Sequence, residues 1–364
     1  MQPYSDPALS ALIASLFFSM LIVLTGRWHG HLSFDSPIGV QRQHHVTTPR
    51  VGGIALWMGL FIGYLACIAD HSLCASMLLA GTPVFLVGLL EDVSKSVSVR
   101  TRLLVSMAGG VLGWWYTGYS LNHLHWPMLD TLLSSAVPAV LLTGFAVAGT
   151  THAVNIIDGF NGMAAGTVLI TTSAFLLLAW DGGDQELVMA CVVFMGALFG
   201  FLVVNWPSGK LFLGDSGAYL AGSSLGWLAV LLNARLPDIS AWALLLICAY
   251  PVQEVLFSIW RRRARQKHWG HPDRLHLHSL VGRRLVRAHM PIASPTVRNS
   301  ITGLIMLTAN LLPVSWALAW PNHNGALLTG LLFSALLYQL FYHRLTRFRW
   351  VPMAQQTDSK APTW

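Results

Sequence analysis

The sequence predicts an all-α integral membrane protein of about 11 transmembrane helices, with its chemistry-bearing residues in cytoplasmic loops. Three observations predict it. The chain is 54% hydrophobic and only 10% charged, whereas a soluble domain carries about a quarter charged residues. Apolar stretches recur from end to end, with no polar block large enough to fold alone. Lys and Arg are concentrated in alternate connections between those stretches.

The apolar runs lie at residues 8–26, 51–69, 73–90, 103–121, 131–149, 163–180, 187–205, 219–232, 239–260, 302–320 and 325–342. The eighth is the shortest. The first lacks the basic flank and small-residue cleavage site of a signal peptide, so it reads as a retained helix. Residues 1–350 form one polytopic membrane domain in this reading, and 351–364 a polar, disordered cytoplasmic tail. Connections after odd-numbered runs hold 21 of the 22 Lys and Arg residues, and Arg235 alone falls on the other side. By the positive-inside rule the N-terminus is periplasmic and the C-terminus cytoplasmic, across a bacterial inner membrane. Trp28, Trp206, Trp260 and Trp350 near the inner boundary, with Trp126, Trp180 and Trp320 near the outer one, fit interfacial belts.

Cys67, Cys74, Cys191 and Cys248 sit in or beside apolar runs without the spacing of a zinc site, so buried thiols are expected, a Cys67–Cys74 disulfide being the minority alternative. The Arg261-Arg262-Arg263-Ala264-Arg265 cluster reads equally as a stop-transfer flank touching anionic lipid and nothing more, or as such a flank with a further role.

The cytoplasmic connections hold an unusual polar set. Glu91 and Asp92 end the third run, Asn155 and Asp158 follow the fifth, Asp215 follows the seventh, and His276 and His278 follow the ninth. Adjacent carboxylates at a membrane edge repel unless a metal or proton joins them, which favours function over a plain helix boundary. Asn155 and Asp158 share a face if helical, and Gly159 and Gly162 permit close approach; a tight structural turn is the competing reading. Gly214-Asp215-Ser216-Gly217 reads either as a turn or as a binding loop. His276 and His278 diverge on a helix but face the same way in an extended loop. As a zinc pair they lack further ligands.

Five motifs in order, spanning residues 42–280, resemble the polyprenyl-phosphate N-acetylhexosamine-1-phosphate transferases, the family of MraY and WecA. They are Arg42-x-His44 with Thr48-Pro49-Arg50-Val51-Gly52-Gly53; Gly88-Leu89-Leu90-Glu91-Asp92; Asn155-Ile156-Ile157-Asp158-Gly159-Phe160-Asn161-Gly162-Met163; Asn205 with Phe212-Leu213-Gly214-Asp215-Ser216-Gly217; and His276-Leu277-His278-Ser279. The family commonly has Asp at Glu91, Asp at Asn161, Asn at His152 and His at Ser279. The resemblance implies Asp215 and Asn155 as Mg²⁺ ligands, with Mn²⁺ as an alternative metal. It implies Asn205 and Phe212 as uracil contacts, and Glu91 and Asp92 at the lipid phosphate. Asp158 joins the catalytic set, while His276, His278, Arg42 and His44 contact the diphosphate or sugar. The implied partners are a UDP-N-acetylhexosamine, undecaprenyl phosphate and the lipid bilayer, with homodimerisation compatible and no nucleic acid. The implied reaction gives undecaprenyl-diphosphate-sugar and UMP. The departures at Glu91, Asn161 and Ser279 resemble the O-antigen-initiating branch more than the muramyl-pentapeptide branch. The alternative class, a secondary transporter or lipid flippase, calls for ionisable groups at the bilayer midplane; Glu254, near the inner end of its run, is the charged residue clearly inside one.

Overall fold

Every apolar run of the sequence coincides with a helix or a bent helix pair. The computed structural model describes residues 2–33, 48–67, 72–264 and 275–347. Arg42, His44 and the tail 351–364 lie outside the described residues. In chain order the helices are α1 (Gln2–Leu24), α2 (Gly26–Ser33), α3 (Gly52–Leu65), α4 (Ser72–Ser94), α5 (Val99–Thr117), α6 (Pro127–Leu133), α7 (Ala136–Ile157), α8 (Met163–Asp181), α9 (Gln185–Asn205) and α10 (Gly214–Arg235). They continue with α11 (Ala241–Ile247), α12 (Ala249–Ala264), α13 (Leu277–Leu280), a π-helical turn (Val281–Val286), α14 (Arg287–His289), α15 (Pro295–Ala319) and α16 (Asn324–Thr346).

Among the described residues eight helices are long and apolar enough to cross a membrane, or nine if α11 and α12, bent by 80°, count as one span. The sequence-based figure of 11 exceeds this by two. Helix α3 has only 14 residues, roughly 21 Å at 1.5 Å per residue against a core of about 30 Å. Helix α5 carries Arg100 and Arg102 in its first turn.

Several boundaries also move. Hydropathy ends a run at the first polar residues, but backbone hydrogen bonding does not. Helix α7 continues through Asn155 to Ile157, and α10 begins at Gly214, so Asp215 lies in a helical first turn and not in a loop. The expected loop site is therefore built largely on helix ends. Several side-chain hydroxyls within the apolar helices bond to carbonyls one turn back, as Thr82 does to Leu78 (2.8 Å), Thr143 to Ala139 (2.8 Å) and Thr172 to Val168 (2.8 Å). That satisfies them without water.

Helix α10 is the central post, with 89% of its spanning window buried against 22% for α16 and 33% for α1. It packs on α4, α7, α3 and α8. Helices α1, α3 and α9 form a second tight group. There, side chains on Gly196 and Gly200 of α9 would collide with the α1 carbonyls of Ala8 and Leu12, the small-residue spacing that lets membrane helices approach closely. Large apolar side chains such as Leu9, Phe17, Leu141, Phe145 and Leu332 cover the outside, as a lipid-facing surface requires. The four cysteines are buried and free.

Candidate active site

The first turn of α10 organises the site. Asp92, in the last turn of α4, accepts from the backbone N–H groups of Asp215 (2.8 Å) and Ser216 (2.9 Å) and from the Ser216 hydroxyl (2.6 Å). Its carboxylate thus satisfies donors left open at a helix start and meets the positive end of the helix dipole. Gly214 precedes it at φ +71°, and a Cβ there would stand 2.7 Å from Asp92 Oδ2 and overlap the Arg50 carbonyl. Only glycine fits. On the other side Gly52 and Gly53 donate to the carbonyls of Phe212 and Leu213, both at 3.0 Å, while Phe212 N–H donates to Pro49 (2.9 Å). The segments around residues 49–53, 88–92 and 212–217, separate in sequence, form one knot.

Asp215 faces outward from that knot into a ring of cations and amides. Arg102, from the first turn of α5, donates to Asp215 Oδ2 at 2.8 Å and stands 3.6 Å from Glu91 Oε1. Asn155 Nδ2 donates to Asp215 Oδ1 at 3.0 Å, and Arg50 lies 3.8 Å from the same oxygen. Glu91 Oε2 also accepts from Val97 N–H (2.9 Å), closing the α4–α5 turn. Asp158, just past the end of α7, has its carboxyl pushed up to about 7, by burial first; Arg50 opposes the shift, and the neighbouring Asp215 and Asp92 add to it. The sequence reading assigned no role to Arg50 and Arg102. Arg50 stands inside the first motif, and Arg102 just before an apolar run, where it counted only as flanking charge.

The remaining residues shape the walls. Asn205, buried at the end of α9, accepts from Gly162 N–H (2.6 Å) and donates to the Leu211 carbonyl (2.7 Å). Its amide is committed to backbone, clamping the 159–162 turn to the loop that carries the half-buried Phe212. Asn161 donates from Nδ2 to Pro207 O and Ser300 Oγ, each at 3.2 Å, and its N–H is held by Asn299 Oδ1 at 2.5 Å. His276 and His278 are buried, with parallel rings 5.3 Å apart, because the backbone is extended at His276 and turns helical only at Leu277. His278 packs edge-on against Phe160 of the third motif, at 5.8 Å between ring centres.

The comparisons with known proteins cover much of this constellation. The glycosyl transferase family 4 model matches residues 74–233, which include Glu91, Asp92, Asn155, Asp158, Asn205, Phe212 and Asp215. The chain is 30% identical over 236 residues to a phospho-N-acetylmuramoyl-pentapeptide-transferase of Rubrobacter xylanophilus, 59% of this chain and 71% of that protein. It is 27% identical over 315 residues to an undecaprenyl-phosphate alpha-N-acetylglucosaminyl 1-phosphate transferase of Escherichia coli O157:H7, 84% of this chain and 82% of that protein. A Geobacillus phospho-N-acetylmuramoyl-pentapeptide-transferase is 33% identical over 203 residues, 52% of this chain and 62% of that protein. The chain likewise spans 66% of the length of a Bacillus subtilis relative. Relatives named for two different sugar substrates thus match one chain, and the chain belongs to glycosyl transferase family 4, the polyprenyl-phosphate sugar-1-phosphate transferases.

Proposed function

We propose that the protein transfers N-acetylhexosamine-1-phosphate from a UDP-sugar to undecaprenyl phosphate, giving undecaprenyl-diphosphate-sugar and UMP, at the cytoplasmic face of the inner membrane. The observation that carries the reading is the convergence on Asp215 of Arg102, Arg50 and Asn155 at one end of the bundle. Carboxylates and guanidinium groups gathered at a membrane edge suit a charged diphosphate and a lipid phosphate, not an apolar ligand. The departures at Glu91, Asn161 and Ser279 support a branch that initiates O-antigen or a related surface glycan. The matched relatives act on more than one sugar by name, so the hexosamine is open to assay.

The residues fit Mg²⁺. Among the described residues no group of three or more His, Cys, Asp or Glu side chains is placed to hold a metal by itself. Mg²⁺ needs no such cage, because it binds through one or two protein oxygens with water and substrate phosphates completing its octahedron. Asp215 would supply a carboxylate in exchange for its contacts with the Arg102 and Asn155 side chains, and Asn155 would supply its amide oxygen, whereas the oxygens of Asp92 are held by backbone at the start of α10. When bound, the metal neutralises the diphosphate and the charge that develops on leaving UMP.

Arg102 and Arg50 orient the diphosphate and share its charge. A lipid phosphate oxygen attacks the β-phosphorus; a P–O bond forms as the bond to the bridging oxygen breaks, and UMP carries that oxygen away. The monoester is already largely ionised near neutral pH, so little base catalysis is needed. Phe212 offers a ring face to the uracil, on a loop whose shape Asn205 fixes. Membranes containing the protein should release UMP from UDP-N-acetylhexosamines only when both undecaprenyl phosphate and Mg²⁺ are present. UMP release without lipid phosphate, or none from any UDP-sugar, would overturn the reading.

A further inference from the structure

Glu254 is fully buried in α12, one turn after the bend, where an unpaired carboxylate is costly. It is one rung of a polar ladder. Tyr250, Glu254, Ser258 and Arg261 recur at helical spacing, are all buried, and bond in reverse order to the segment 275–278. Arg261 donates to Leu275 O (2.9 Å), and Ser258 Oγ lies 3.2 Å from His276 Nδ1. Glu254 Oε1 lies 2.8 Å from His276 Nδ1, and both its oxygens accept from Leu277 N–H at 3.3 Å. Tyr250 OH lies 3.3 Å from His278 Nδ1, and Glu254 Oε2 is 3.9 Å from it. Both imidazoles therefore turn Nδ1 toward α12. On the other side of the ring, His278 Nε2 would stand 3.4 Å from a Cβ built on Gly159, beside Asp158.

We propose that Glu254 is a positioning residue that fixes the tautomer and the facing of the histidine loop, so that Nε2 is the atom the histidines offer to the diphosphate-sugar. A carboxylate only accepts, so the His276 nitrogen facing it carries the proton, and Nε2 accepts from a sugar hydroxyl or amide when the ring is neutral and donates to a diphosphate oxygen when it is protonated. Buried partners of metal-ligating histidines orient those rings in the same way, and their loss typically costs roughly 10- to 100-fold in metal affinity or activity, which sets the scale expected here. The inference rests on the transferase reading and extends it to a residue outside the family motifs.

The test has two arms. In membranes with matched amounts of folded protein, Glu254→Gln should lower kcat for UMP release by roughly 10- to 100-fold with KM for the UDP-sugar little changed. Glu254→Asp should recover part of the loss. In a His276→Ala His278→Ala background Glu254→Gln should add no further loss, because Glu254 acts through those rings. Wild-type kcat in Glu254→Gln, or an equal further loss in the histidine-free background, would overturn the proposal. Should Glu254→Gln not fold, the second arm decides on the wild-type protein: ¹⁵N-histidine spectra should show Nδ1 of His276 protonated, and a neutral ring with the proton on Nε2 would overturn it. An inactive wild-type protein with the expected tautomer would sink the transferase reading and leave the positioning of the loop intact.

Discussion

Asp92 and Asp215 meet at one helix start under opposite demands. Asp92 receives three donors and holds α10 in place, whereas Asp215 points away toward Arg102, Arg50 and Asn155. Asp215→Asn should therefore abolish UMP release with little change in thermal stability. Asp92→Asn should also lower the melting temperature, because one amide oxygen replaces two acceptors, at a cost of about 1–3 kcal/mol. Paired activity and melting measurements separate the two. Glu91 combines a charge near Arg102 with a turn-closing bond to Val97 N–H. Glu91→Asp keeps the charge but is one methylene too short for that bond, so it should lose about 1 kcal/mol of stability while retaining substantial turnover. Asp158 gives a pH signature. Its folded pKa of about 7 lies above its ordinary value of 3.8, so ionising it opposes folding. The penalty is absent below 3.8 and complete above about 7. Metal-free protein should lose stability as pH rises through that window, and Asp158→Asn should reduce the loss in melts taken from pH 5 to 8.

At the scale of elements, the positions of the helices were legible in the sequence and their ends were not. Hydropathy stops at Gly149 and restarts at Tyr219, but the hydrogen-bonded backbone carries α7 to Ile157 and starts α10 at Gly214, which turns Asn155 and Asp215 from loop residues into helix-end residues. The pairings between those ends were also invisible, because Arg102 and Asp215 are 113 residues apart and only packing of α4, α5 and α10 brings them together. The motifs marked which residues matter without saying which hold structure. Asn161 illustrates the difference. The family often has Asp there, yet here the side-chain amide donates to Pro207 O and Ser300 Oγ, tying the 159–162 turn and the cis Trp206–Pro207 loop to the start of α15. Asn161→Asp cannot donate and sets a carboxylate against a carbonyl. It should cost about 1–3 kcal/mol and lower the melting temperature before it lowers turnover of the folded fraction.

The whole molecule is organised by direction. Helices α1, α4, α7, α9, the α11–α12 pair and α16 run toward the end that holds Asp215, and α3, α5, α8, α10 and α15 run away from it. The hydrogen bonds fix this sense: Ser33 O meets Arg50 N–H after α1, Gly52 starts α3 at Phe212, and Asp92 ends α4 at α10. Likewise Arg102 starts α5 at Asp215, Asn161 before α8 meets Asn299 of α15, and Arg261 of α12 donates to Tyr342 near the end of α16 (3.2 Å). Helices α3 and α5, one too short and the other carrying two arginines in its first turn, lie between longer spans, and the described residues hold eight or nine helices long and apolar enough to cross. The end that holds Asp215 is also where Arg50, Arg102, Arg261 and Arg284 lie. Arg235, the one basic residue of the opposite connections, is held at the other end by Asp184, bonded from Nε and Nη2, and by Glu186 at 3.0 Å. It contributes little free charge there, which sharpens the difference in basic charge between the two ends. A reporter fused after Tyr342, or inserted within residues 261–299, should accordingly read cytoplasmic, and one inserted within residues 236–240 should read periplasmic. Arg235→Ala should leave that orientation unchanged. A periplasmic reading at either of the first two sites would place the Asp215 cluster on the wrong side for cytoplasmic UDP-sugars and remove the proposed reaction with it.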